Sequence, residues 1–142
     1  MATGLQHLHS TLAYLVLLGL IISSLVFLLK RGQGNFTPAH KKLALITLIF
    51  THLQLVIGLV LYFVGPLGYA SLQVESVMAQ PELRLYAVEH ISINIIGIVL
   101  ITIGYSKGKR ASTSKAKFTN LGVFYLIGLV LILSRIPWNA WF

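Results

Sequence analysis

Residues 85–106, LYAVEHISINIIGIVLITIGYS, decide the fold. A hydrocarbon layer of ~30 Å is crossed by ~20 helical residues rising ~1.5 Å each, and this run is long and apolar enough to do so. It nevertheless carries Glu89, His90 and Asn94 near its start. Polar side chains inside a span are costly and normally face protein, water or a cofactor. Three more apolar runs lie at 8–29, 43–64 and 118–136. The reading is therefore all-α: residues 1–142 form one integral membrane four-helix bundle, antiparallel, with no second domain.

Composition points the same way. Of 142 residues, 56% are hydrophobic and 10% charged, more apolar than a water-soluble domain of this size needs for its core. The net charge of +8 is unevenly spread. Lys30, Arg31, Lys41 and Lys42 separate spans one and two, and Lys107, Lys109, Arg110, Lys115 and Lys117 separate spans three and four. All three acids, Glu75, Glu82 and Glu89, fall in or near the connection between spans two and three. Basic loops stay cytoplasmic, so both termini are expected outside, in a multi-pass protein of the bacterial inner membrane. The basic excess thus reads as a topology signal, secondarily as an attraction for anionic membrane lipid, and not as a nucleic-acid surface. No basic residue precedes the first run and Lys30 and Arg31 follow it, which favours a retained span over a signal peptide. With no cysteine, disulfides, thiolate metal sites, iron–sulfur clusters and covalent heme attachment are excluded.

The connections are short. RGQGNFTPAHKK (31–42) and SKGKRASTSKAK (106–117) should join neighbouring helices, with Thr37 capping helix two and Pro38 in its first turn. The longest, GPLGYASLQVESVMAQPEL (65–83), predicts an interfacial helix around Ser71 to Ala79, ended by Pro81. Trp138, Trp141 and Phe142 read as an aromatic belt anchoring span four.

Helical phase sorts the polar positions. His90, Asn94, Gly97, Ile101 and Gly104 share one face of span three, and His9, Ala13, Val16, Gly19 and Ser23 form a similar stripe on span one. Small residues allow close helix approach but also leave room for a flat, bulky group, and spacing alone does not separate the two. Span two carries Thr47, Thr51, Gln54, Gly58 and Gly65 on a bundle-facing stripe, with His52 pointing well away from it.

Depth pairs two of the histidines. His9 stands ~31 Å from Lys30 and His90 ~25 Å from Lys107 at the helical rise, so with ordinary tilts both lie near the outer surface. His52, ~17 Å from Lys41, is near mid-membrane. Two histidines without a third donor make a poor zinc site, since zinc takes three or four protein ligands. Heme needs only two axial ligands, and neutral imidazole supplies them. The expected metal ligands are therefore His9 and His90, on one heme b per chain near the outer face, with Gln54, Gly58, Asn94 and Gly97 around it. Arg84 and Arg135, at the outer ends of spans three and four, are the cations available to its propionates.

Plainer roles exist for each. A lone intramembrane histidine can be a helix–helix hydrogen bonder, His7 is an alternative to His9, and His40 beside Lys41 reads as a loop residue. His52 reads as a packing or interface residue, and the two arginines could be simple interfacial anchors.

HLHSTLAYLVLLGLIISS, ITLIFTHLQLVIGLVLYFVG and YAVEHISINIIGIVLITIG together resemble one four-helix half of heme A synthase. That resemblance implies heme coordination by a histidine near the outer start of one span and another in a later span, matching His9 and His90. A Leu-Gln-x-x-x-Gly signature between them matches Leu53, Gln54 and Gly58. FTNLGVFYLIGLVLILSR resembles the helix that begins a family half, so the order would be permuted. Through THLQL, VEH, ITIGYSK and LILSRIPW the chain also resembles short bacterial membrane proteins labelled b-type cytochromes. It departs from the synthase where Gln6 replaces an acidic residue and where the outer-loop cysteine pair is missing. The resemblance thus implies heme binding rather than heme modification. Two heme centres would require a homodimer.

The expected function is electron transfer by a bis-histidine b-type cytochrome, with quinol or a larger respiratory complex as the natural partner. The alternatives are a heme-modifying or quinone-reacting enzyme, with Glu89 or His52 handling protons, and an accessory subunit of a respiratory complex.

Overall fold

The computed structural model describes residues 2–141, and Phe142 of the expected aromatic belt lies outside them. Four helices carry the fold: α1 (Ala2–Lys30), α2 (Pro38–Val64), α3 (Pro81–Arg110) and α4 (Ser114–Ser134). All four are long and apolar enough to cross a membrane, as a multi-pass membrane protein requires, and no strand occurs among the described residues. Each helix begins before the run that announced it, and α4 ends at Ser134, two residues short of its run. Their first and last turns use loop residues too polar to register as span, such as Pro38 to Lys42 and Lys107 to Arg110.

The helix starts follow from local chemistry. At α2, Thr37 is extended (φ −104°, ψ 166°) and Pro38 occupies the first turn, where a missing N–H costs nothing. The His40 ring closes the cap: its Nδ1 accepts the Thr37 N–H at 3.0 Å. His40, read as a loop residue, is thus the third residue of α2. At α4, Thr113 Oγ1 accepts the Ala116 N–H at 3.1 Å. The two basic loops are tied together where the Phe36 N–H donates to Ser114 Oγ at 2.9 Å.

The connection 65–83 differs from expectation. In place of one helix it holds two 3-10 turns, Tyr69–Gln73 and Val77–Ala79. Ser76 breaks them with a left-handed φ of 59°, which a continuous helix cannot contain. Pro81 then opens α3, whose second turn, Leu85–Glu89, is a π turn.

Packing closes a ring in chain order: α1 lies against α2 and α4, and α3 lies against α4 and α2. Glycines set the closest approaches. A Cβ at Gly128 would collide with the Ile101 side chain and come within 3.0 Å of Gly97 O. One at Gly104 would collide with Phe124, and one at Gly108 would stand 2.7 Å from Leu121 Cγ. Between α1 and α2, Gly19 faces Thr47, and the Ser23 and Thr47 hydroxyls share a hydrogen bond of 2.9 Å. The basic end is filled by Phe27, Phe118 and Tyr125, all fully buried, and Tyr125 Oη donates to Ala44 O at 2.8 Å. The outside is equally apolar: Leu15, Leu18, Leu25, Ile46, Val56, Phe63, Val99 and Val130 are all exposed. A water-soluble monomer does not carry such a continuous exposed apolar surface.

Candidate functional site

At the other end of the bundle the helices stand apart. Where α1 begins and α2 ends, α1, α2, α3 and the C-terminal segment surround a cavity of about 210 Å³. His9, Gln54, Gly58, His90 and Asn94 all line it. The small-residue stripe of α1 is therefore divided. Gly19 and Ser23 close on α2, while His9, Ala13 and Val16 face the cavity.

The two imidazoles meet across this space, their ring centroids 6.2 Å apart and their planes at 75°.

Each ring is positioned differently. His90 Nδ1 donates to the Arg135 carbonyl at 2.7 Å, which fixes the tautomer and leaves Nε2 as the unprotonated nitrogen. An anchor of this kind, ring N–H to backbone carbonyl, is how ligating histidines are usually oriented. Asn94, one turn on, donates to His90 O and lies 3.2 Å from His90 Nδ1. On α1, the Gln54 amide donates to His9 O at 2.9 Å and stands 3.4 Å from His9 Nε2. His9 Nδ1 and Gln54 Oε1 are buried with no partner. A Cβ at Gly58 would sit 2.9 Å from His9 Cε1, so only glycine gives that ring its place.

The expected cations do not line the cavity, and both hold a carboxylate of the protein's own. Arg84 Nε contacts Glu89 Oε1 at 2.6 Å and Arg135 Nε contacts Glu89 Oε2 at 3.2 Å, so one acid bridges α3 and the end of α4. The Arg84 terminal nitrogen also donates to Met78 O, and that of Arg135 to Ser134 O. The π turn explains the first pair: i to i+5 spacing brings Arg84 over Glu89.

Gly97 lies away from the cavity, against Gly128 of α4. His7 is exposed and does not line the cavity. His52 sits between α2 and α3, its Nδ1 bonded to Leu48 O at 2.8 Å and its Nε2 3.3 Å from Thr102 Oγ1, so both nitrogens are engaged within the helix pair.

Three aromatic residues take part that phase did not single out. Tyr86 lines the cavity one turn before His90. Tyr62 Oη donates to Ala87 O at 2.9 Å, fastening the end of α2 to the π turn. Trp141, expected in the belt, folds back over α1, its ring 4.5 Å from Tyr14, and lines the cavity too. Trp138 remains at the surface, 41% exposed. The proline at 137, which interrupts the helical pattern after span four, is the sequence signal for such a return.

No set of three or more His, Cys, Asp or Glu side chains among the described residues could hold a metal ion. No family model, no curated protein and no solved structure matches this chain.

Proposed function

We propose that this chain is a b-type cytochrome of the bacterial inner membrane, an antiparallel four-helix bundle with both termini outside and one heme b held between His9 and His90. The observation that carries the reading is the approach of those two rings, 6.2 Å apart across a cavity between separate helices. The apolar wall beside them, the orphaned His9 Nδ1 and the glycine cradle at Gly58 fit the same group. The resemblance to one half of heme A synthase adds the matching positions His9, Leu53, Gln54, Gly58 and His90.

In this reading Arg135 O orients His90 and Gln54 holds the backbone of α1 at His9. Gly58 admits the His9 ring, and Asn94 secures the turn beginning at His90. Arg84 and Arg135, both paired with Glu89 and outside the cavity lining, would be the cations for the heme propionates. Held by His9 and His90, such a group would supply reversible one-electron chemistry. The function is therefore electron transfer, and quinol or a respiratory complex is its partner.

One observation favours a quinone-reacting or heme-modifying enzyme instead: Gln54 Oε1, an acceptor beside the cavity, has nothing to bond. The absorption spectrum of protein purified from heme-replete cells, with and without cyanide or carbon monoxide, separates the readings. A heme spectrum that neither ligand alters is expected of a bis-histidine electron carrier. A ligand-induced shift would favour the enzyme, and no heme band at all would end both.

A further inference from the structure

We propose that a second cavity, at the basic end of the bundle, is a binding site for the head group of an anionic phospholipid. This cavity, of about 370 Å³, opens between the start of α2, the end of α3 and the start of α4. Lys41, Lys109 and Lys117 line it, one from each helix, with Phe36 and Tyr105 among the other walls and no acid.

The three amines differ in a way that fits a phosphate. Lys117 Nζ is fixed: it donates to Gly108 O at 3.3 Å and Lys109 O at 3.2 Å, and lies 5.8 Å from the centre of the Phe36 ring. It thereby caps the carbonyl end of α3 and holds a positive charge at the cavity wall. Among the described residues the Lys41 and Lys109 amines have no hydrogen-bond or ion-pair partner. Nothing nearby offers them one, because the chain's only acids are Glu75, Glu82 and Glu89, all in or beside the connection at the far end. Three cations of one sign gathered in a concave site leave a charge deficit that a phosphodiester fills.

The surroundings select a lipid over a free anion. The cavity passes from loop residues Phe36 and Thr37 to the buried apolar Ala44 and Leu121, so it straddles the depth at which head groups meet acyl chains. Basic pockets between membrane helices bind anionic head groups by this same combination. The site owes nothing to the histidine pair, so its test is independent of heme.

The test is thermal unfolding of the full chain in detergent, after delipidation, with added phosphatidylglycerol, phosphatidylcholine or inorganic phosphate. Phosphatidylglycerol should raise the midpoint by roughly 5 °C, with little effect from the other two. Lys41→Gln with Lys109→Gln should remove most of that rise, whereas Lys30→Gln with Lys115→Gln, basic positions outside the cavity, should keep it. Should the first double variant express poorly, Lys109→Gln alone should lower the phospholipid phosphorus retained per chain after purification. The proposal is overturned if phosphatidylcholine or inorganic phosphate stabilises equally, or if the cavity variants respond like the control pair.

Discussion

The middle of the bundle and its histidine end are built from the same kind of sequence and come out opposite. In the middle, glycine and small hydroxyl residues let helices touch, as where Gly128 meets Gly97 and Ile101, or Gly19 meets Thr47. Toward the histidine end, the continuation of those stripes leaves a cavity walled by His9, Gln54, Gly58 and His90, in which two buried polar atoms have no partner. Lipid tails are as apolar as leucine, so helices in a membrane associate through packing and hydrogen bonds rather than hydrophobic driving force. A place where packing is forgone and polar atoms are left unmatched is therefore costly. A ligand that completes it is the natural compensation.

The contrast predicts that the histidine end governs cofactor and the mid-bundle contacts govern stability. The largest effect belongs to the imidazoles: His9→Ala or His90→Ala should each lower heme per purified chain by roughly tenfold or more, while the detergent-solubilised fold persists. Full heme retention in both variants would assign the rings to packing alone. Gly128→Ala should do the reverse. Its methyl meets Ile101 and the Gly97 carbonyl, neither of which can retreat easily, at a cost of ~1–3 kcal/mol in unfolding measurements. Heme per folded chain should not change.

Gly58→Ala sharpens the comparison, because the obstacle there is a movable ring. The His9 imidazole can swing away from a new methyl, so stability should shift by less than ~1 kcal/mol while heme affinity falls several-fold. A stability loss as large as that of Gly128→Ala, with heme intact, would show that both glycines serve packing. The smallest effect is expected at the hydroxyl pair: Ser23→Ala removes one interhelical hydrogen bond and should cost ~0.6 kcal/mol with no spectral consequence.

Much of this was legible in the chain. The four spans follow from apolar length, and the alignment of His9 with His90 follows from helical rise measured from the basic ends, because a straight helix converts residue count directly into depth. The grouping of Gln54 and Gly58 with them follows from phase. Three features were not legible. The π turn at Leu85–Glu89 has no composition signal, yet it sets the Arg84–Glu89 pair. Gly97 shares a face with His90, but α4 lies closer to that face two turns further on, and helix tilt is a tertiary property that phase does not contain. Trp141 read as a lipid anchor because aromatic belts and cavity walls draw on the same residue type. Its return over Tyr14 depends on the turn after Pro137.

The most direct measurement is a pyridine hemochrome assay on the purified full-length chain, which reads heme type and heme per protein together. A b-type product close to one heme per chain is the predicted result. Colourless protein from heme-replete cells, or a ratio near two that calls for a second pair of ligands, would contradict a single heme gripped by His9 and His90.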